Sequence, residues 1–301
     1  MHGALANDLY SRLYTDLEFY SRSVFRELHT QPAPPVHRTI YQAVNDPDAP
    51  FVNVNIPRGT SKSTILESAI CQRITRNVKP GLWDYGLVIG ESKEKAEERG
   101  SNVKDHLREN DTLRAIHQEL YGTPDIIKWE RRYEFETFNS CRWMFRGMEQ
   151  AVIGAKRKAA RILFLGFDDA ESLKNANTPE KCERNRTHIN QSIMPMRDPM
   201  NAKVLFMGTP TMQGCYQDRI GKSKAWLTIA DKLIRDDGSL MWPERFSRAW
   251  LRREKARMES EGSLDAFYIS YLCTFQNKST RQFSKRRYFD AWRLTEEGRV
   301  I

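Results

Sequence analysis

Long apolar runs and paired cysteines are both missing from this 301-residue sequence. Its five cysteines are scattered and never spaced as CxxC, which argues against a disulfide framework or a structural zinc site and favours a reducing compartment. No segment approaches the roughly 20 consecutive apolar residues of a membrane-spanning helix. The first residues also lack the basic and apolar regions of a secretory signal. We therefore expect a cytoplasmic protein with no membrane contact.

Acidic residues are fewer than basic ones. The 48 lysines and arginines exceed the 39 aspartates and glutamates, giving a formal net charge of +9. This excess favours polyanionic partners, although many soluble enzymes are mildly basic as well. The hydrophobic content of 40% is that of a globular chain and excludes wholesale disorder.

Strand and helix patterns alternate along the chain. The predicted strands are residues 51–56, 85–90, 162–167 and 203–207, with a hairpin at 132–146. The predicted helices are residues 8–28, 37–44, 62–77, 92–110 and one that begins at 178–179. After Thr211 the pattern turns helical and strand signals fade. The alternation predicts an α/β fold with a mostly parallel sheet and helices on both faces.

The turn after the first predicted strand reads Ile56-Pro-Arg-Gly-Thr-Ser-Lys-Ser-Thr64. Between a strand and a helix, such a loop directs backbone N–H groups and the positive end of the helix dipole at an anion. In the phosphate-loop pattern GxxxxGK(S/T), lysine reaches the β and γ phosphates and the next hydroxyl ligates Mg²⁺. Lys62 and Ser63 take these places, but Ile56 and Ser61 replace the two glycines. The alternative is an ordinary turn with a solvated lysine.

A second motif, Asp168-Asp-Ala-Glu171, follows the buried strand at 162–167. A P-loop ATPase needs a carboxylate at the tip of a neighbouring strand to hold Mg²⁺ and to orient the attacking water. Asp168 is the predicted Mg²⁺-side carboxylate, and Asp169 or Glu171 is the predicted water-orienting group. The spacing does not decide between the two. The alternative is an acidic helix start that caps its own amides.

A third motif, Gly208-Thr209-Pro210, ends the strand at 203–207. A polar strand end beside the phosphate strand is suited to sensing the γ-phosphate. The alternative is a strand followed by a plain proline turn.

In this order, the three motifs resemble the ATPase half of a large terminase subunit, the viral DNA-packaging motor. The family's phosphate loop commonly reads P-R-G-x-x-K-S-T, as residues 57–64 do, and its acidic motif often reads D-D-x-E, as residues 168–171 do. Its coupling motif reads G-T-P, as residues 208–210 do. Residues 241–246 and 262–268, together with 271–273, are similar to the family's connection between ATPase and nuclease.

The resemblance implies an ASCE-type P-loop NTPase with a small helical lid or linker subdomain. It implies that ATP and Mg²⁺ are bound and that ATP hydrolysis drives double-stranded DNA into a procapsid. The implied partners are a portal protein, a small terminase subunit and further copies of the chain in a ring, in the cytoplasm of the infected host cell. Because the chain stops at Ile301, where a nuclease domain would start, nuclease activity is not expected.

The same resemblance suggests domain bounds and further residue roles. The expected units are an N-terminal helical segment (1–48), the ATPase core (49–215), the lid or linker (216–282) and the start of the nuclease connection (283–301). The nucleotide-binding residues are Pro57, Arg58, Gly59, Thr60, Ser61, Lys62, Ser63 and Thr64, with His37 and Arg38 near the adenine. The catalytic candidates are Lys62, Arg58 as a cis arginine finger, Asp169 and Glu171. Arg58 is alternatively a surface arginine paired with a carboxylate such as Asp84.

A basic, glycine-containing stretch at 142–161 is suited to following DNA phosphates without reading bases. Its candidate DNA contacts are Arg146, Lys156, Arg157 and Lys158, and its candidate trans arginine fingers are Arg146, Arg157 and Arg161.

Two other functions remain open at this point. One is a different P-loop enzyme, such as a helicase core or a small-molecule kinase. The other is a nucleotide-binding assembly module that hydrolyses little ATP alone, which the glycine-poor loop permits.

Overall fold

The structure, a computed structural model, describes residues 10–76, 84–150 and 161–275. Its strands are β1 (Phe51–Asn55), β2 (Asp84–Gly90), β3 (Ile127–Arg131), β4 (Glu134–Thr137), β5 (Cys141–Gly147), β6 (Phe164–Asp168), β7 (Lys203–Gly208) and β8 (Leu227–Ala230). They form one sheet in the order β3-β4-β5-β2-β6-β7-β1-β8. The pairs from β5 to β8 are parallel, and β3–β4 and β4–β5 are antiparallel. The predicted mostly parallel sheet is confirmed.

Helices cover both faces of this sheet. They are α1 (Leu17–Val24), α2 (Pro35–Asn45), α3 (Lys62–Arg76), α4 (Lys93–Glu109), α5 (Asp111–Tyr121), α6 (Pro179–His188), α7 (Tyr216–Ile220), α8 (Arg248–Ser260) and α9 (Leu264–Leu272). The predicted helix at 8–28 is interrupted at Asp16, whose backbone is extended and whose carboxylate accepts a hydrogen bond from the Phe19 amide, capping α1. Among the described residues, no helix is long and apolar enough to cross a membrane.

Alternating side chains of the central strands enter two separate cores. Val88 packs with the apolar residues of α1 to α5, whereas its neighbours Leu87 and Ile89 pack with Phe167 and Tyr216 on the opposite face. Successive side chains of a strand point to opposite faces of the sheet, so a strand that is buried on both faces is apolar at consecutive positions. This explains why β2, β6 and β7 appear as continuous apolar runs in the sequence.

Two predictions about strands can now be judged. The hairpin is confirmed, because β4 and β5 pair antiparallel with Glu134 opposite Met144. The expectation that strands end after Thr211 is wrong, because β8 adds to the sheet beside β1, with Val52 opposite Leu227. Only Ile229 of its four residues is buried. An edge strand this short shows too little alternation of apolar and polar residues to be recognised in the sequence.

Candidate nucleotide-binding site

Three neighbouring parallel strands bring the three sequence motifs together at the carboxyl-terminal ends of the strands. Asn55 at the end of β1 lies opposite Gly208 of β7, and Met207 of β7 lies opposite Asp168 of β6. The segments that follow these strands therefore leave the sheet side by side. A cavity of about 480 Å³ lies there, lined by residues 58–64 and, among others, by Asp168, Asp169 and Glu171.

The loop between β1 and α3 has the geometry of an anion site. Gly59 has a φ of 75° and Ser61 a φ of 60°, so Ser61 adopts the left-handed conformation for which the phosphate-loop pattern uses glycine. The 15-residue helix α3 begins directly afterwards, at Lys62. Within the described ranges, the amides of residues 59–64 have no hydrogen-bond acceptor. These residues therefore fit a phosphate group.

The Lys62 side chain is buried beneath this loop. Its Nζ donates to the Ile56 carbonyl at 3.0 Å, the Pro57 carbonyl at 2.9 Å and Thr209 Oγ1 at 3.0 Å. Burial lowers the pKa of Lys62, and the nearby carboxylate of Asp169 opposes this shift. The amine is thus held by three uncharged oxygens, and the carboxylates of Asp168 and Asp169 are not among its hydrogen-bond acceptors.

A hydroxyl in the first turn of α3 meets a carboxylate at the end of β6. Ser63 Oγ donates to Asp168 Oδ1 at 3.1 Å. Burial raises the pKa of Asp168, and the Arg99 guanidinium opposes that shift. No group of three or more His, Cys, Asp or Glu side chains among the described residues is arranged to hold a metal. Mg²⁺ at nucleotide sites commonly uses one or two protein oxygens together with phosphates and waters, so Ser63 and Asp168 fit this ion.

Arg99 is a member of the site that sequence analysis missed. Its Nε donates to Asp168 Oδ2 at 2.7 Å, and its Nη1 forms an ion pair with Glu67 of α3. Arg99 lies in the middle of α4, a helix rich in charges of both signs. Nothing in the local sequence distinguishes Arg99 from the other charged residues of this helix.

The two candidates for the water-orienting group differ in their surroundings. Glu171 is 4% exposed, and its carboxylate accepts the backbone amides of Tyr216 at 2.9 Å and Gln217 at 2.8 Å. Glu171 lies in a bend outside any helix and caps α7. Burial raises the pKa of its carboxyl group. Asp169 is partly exposed, with a φ of 44°. Glu171 is occupied by backbone donors, whereas Asp169 acts electrostatically on Lys62.

The Gly208-Thr209-Pro210 motif lies directly beside the phosphate loop. Thr209 Oγ1 donates to the Ile56 carbonyl at 2.8 Å and accepts from Lys62. At Gly208 a Cβ would lie 2.7 Å from Gln217 Oε1 and 3.2 Å from Asp169 Oδ1, so only glycine fits without displacing them. Pro210 is buried. The motif thus connects the loop with the acidic strand end.

Arg58 is exposed and lines the cavity. Its backbone amide donates to the Ser270 carbonyl in the last turn of α9 at 2.9 Å. The alternative pairing with Asp84 does not occur. Asp84 is the first residue of β2, at the amino-terminal ends of the parallel strands, and it pairs with Arg73 at 2.7 Å.

The two predicted adenine-site residues lie in different places. His37 is buried, and its Nε2 forms a 2.9 Å hydrogen bond with the Thr60 carbonyl of the loop. Burial lowers its pKa to about 4. The Arg38 side chain is 71% exposed and pairs with Glu18, in a surface groove with α1. Only His37 is therefore in contact with the phosphate loop.

Of the predicted DNA contacts, Arg146 is partly buried, with its guanidinium 3.9 Å from the centre of the Tyr133 ring. Arg161, a candidate trans arginine finger, is exposed and donates to the Pro195 carbonyl. The other candidates, Lys156, Arg157 and Lys158, lie outside the described residues.

Comparison with solved structures identifies the architecture. A mutant of the large terminase ATPase domain of Thermus phage P74-26 aligns with a TM-score of 0.58 and 14% identity, over 84% of this chain and 98% of that one. The HK97 bacteriophage large terminase aligns with a TM-score of 0.54 and 12% identity, over 84% of this chain and 54% of that one. No protein-family model and no curated protein matched the sequence. The chain therefore has the fold of phage large terminase ATPase domains.

Proposed function

We propose that this protein binds ATP at residues 57–64 and hydrolyses it. The observation that carries the proposal is the 3.1 Å contact between Ser63 Oγ and Asp168 Oδ1, because it joins the phosphate loop to the acidic strand end within one cavity. Neither motif alone requires this meeting. The likeness of the fold to terminase ATPase domains supports the same reading.

Each of the described groups has a role in phosphoryl transfer, which depends mainly on positioning and charge stabilisation. The amides of residues 59–64 bind and orient the phosphates, and the positive charge of the Lys62 amine beneath the loop stabilises them. Ser63 and Asp168 would hold Mg²⁺, which supplies further positive charge to the phosphate oxygens. Asp169 orients the attacking water and accepts its proton. Thr209 keeps the Lys62 amine in place through their 3.0 Å hydrogen bond.

Replacing Lys62 by alanine tests this assignment. Phosphate release from ATP should fall by about 10²-fold or more, as for other groups that stabilise transition-state charge, while the fold is retained. Lys203→Ala is the matched control, because Lys203 is also a buried lysine that donates to three backbone carbonyls, but at the opposite end of β7. Equal phosphate release from Lys62→Ala and the native protein would contradict the proposal.

We further propose that hydrolysis drives double-stranded DNA into a viral procapsid in the infected host cell. Support comes from the terminase fold and from the net charge of +9. A ring of copies, a portal protein and a small terminase subunit are the proposed partners. Double-stranded DNA and a portal complex should both raise phosphate release. Separation of the DNA strands would instead identify a helicase, and transfer of phosphate to an acceptor molecule would identify a kinase. Hydrolysis that stays negligible even in the assembly would identify an assembly module.

A further inference from the structure

Arg99 joins two carboxylates that belong to different parts of the candidate site. Its Nε donates to Asp168 Oδ2 at 2.7 Å, at the end of β6, and its Nη1 pairs with Glu67, in the phosphate-loop helix α3. The Arg99 side chain is only 17% exposed. A planar guanidinium has its donors in a fixed fork, so holding both acids at once fixes their relative orientation.

Glu67 is itself held firmly. Its side chain is 7% exposed, and it accepts a hydrogen bond from Asn102 Nδ2 at 3.2 Å and lies 3.5 Å from His106 Nε2. Asn102 and His106 belong to α4, as Arg99 does. Since three side chains of one helix converge on Glu67, the guanidinium has a firmly held second partner besides Asp168.

The two oxygens of Asp168 consequently have different partners. Oδ1 accepts from Ser63, the other candidate Mg²⁺ group, whereas Oδ2 accepts from Arg99. A carboxylate held through one oxygen presents the other in a defined direction, and partners of this kind govern metal affinity in many sites.

We propose that Arg99 is a positioning residue that orients Asp168 toward Mg²⁺, with Glu67 as its anchor. This inference rests on the proposed nucleotide site. Arg99 acts through Asp168, so its loss should weaken the response to Mg²⁺ more than the binding of nucleotide itself. An arginine that only stabilised the fold would lower stability without this selectivity.

The test is a Mg²⁺ titration of the full chain with a fluorescent, non-hydrolysable ATP analogue. In Arg99→Lys, which keeps the charge but loses the fork, the Mg²⁺ concentration for half-maximal enhancement of binding should rise about tenfold or more. The dissociation constant in EDTA should stay within about threefold of the native value. Arg73→Lys is the matched control, because Arg73 is a similarly buried arginine that pairs with Asp84 away from the site.

An unchanged Mg²⁺ midpoint in Arg99→Lys, or an equal shift in Arg73→Lys, overturns the inference. If Arg99→Lys does not fold, Glu67→Gln decides, because loss of the anchor must also raise the midpoint and an unchanged value refutes the role. A Lys62→Ala variant that binds the analogue as tightly as the native protein indicates instead that the proposed nucleotide site is wrong. Native protein without any Mg²⁺ enhancement overturns the inference as well.

Discussion

Replacing Glu171 by glutamine should destabilise the protein while sparing most of its ATP hydrolysis. Replacing Asp169 by asparagine should instead abolish most of the hydrolysis and leave the stability nearly unchanged. The Glu171 carboxylate accepts two buried backbone amides at the start of α7, at 2.9 and 2.8 Å. Asp169 is partly exposed in the cavity wall. The two acids therefore separate a structural contribution from a chemical one.

The size of the effect follows from these contacts. A hydrogen bond to a charged group contributes about 1.5–3 kcal/mol, and glutamine retains one of the two acceptor oxygens. Burial raises the pKa of Glu171, so a neutral side chain recovers part of the loss by removing a buried charge. We expect Glu171→Gln to lose about 1–2 kcal/mol of unfolding free energy, which corresponds to roughly 2–8 °C in melting temperature for a domain of this size.

Asp169→Asn should leave stability within about 0.5 kcal/mol, since asparagine adopts the left-handed conformation of residue 169 as readily as aspartate. Loss of its charge should lower phosphate release by about 10²-fold or more. Circular dichroism during heating measures the first quantity, and phosphate release at 25 °C and saturating ATP the second. A Glu171→Gln protein with native melting temperature and no hydrolysis would refute the assignment, and full hydrolysis in both variants would remove both candidates.

Two further predictions concern stability. Burial lowers the pKa of His37 from 6.5 to about 4, so the unfolded chain binds a proton at His37 at a higher pH than the folded chain does. This difference costs no stability above pH 6.5, but it lowers the unfolding free energy by about 3 kcal/mol as the pH falls to 4. Urea denaturation at pH 7 and pH 4.5 should show a smaller pH effect in His37→Asn, and an equal effect would contradict this. Ser61→Gly should raise the unfolding free energy by about 0.5–1 kcal/mol, because glycine removes the strain at a φ of 60°; a lower urea midpoint would refute it.

Local patterns were sufficient to predict the central strands of the sheet and the position of the loop. The apolar runs of β2, β6 and β7 reflect burial on both faces, and the loop motif is defined within nine residues. β8 was missed because an edge strand with one buried residue has no such run. Arg99 was missed because its partner Asp168 lies 69 residues away, and nothing in α4 marks which of its charges faces the site.

Spacing likewise left Asp169 and Glu171 unresolved. The distinction depends on α7, which begins 45 residues after Glu171 and brings its amides to that carboxylate. Long-range contacts of this kind appear only when the chain has folded. The roles of these acids and the domain bounds remain predictions.

The hydrogen bond from the Arg58 amide to the Ser270 carbonyl has a mechanical consequence. The last turn of α9 is bonded to the phosphate loop at Ser270 and to the Leu233 amide at Tyr271. A displacement of this helix must either carry the loop with it or break the hydrogen bond between Arg58 and Ser270, which contributes about 1 kcal/mol. Such a bond is weak enough to open and close readily, so α9 follows a change in the shape of the loop only while the bond is intact.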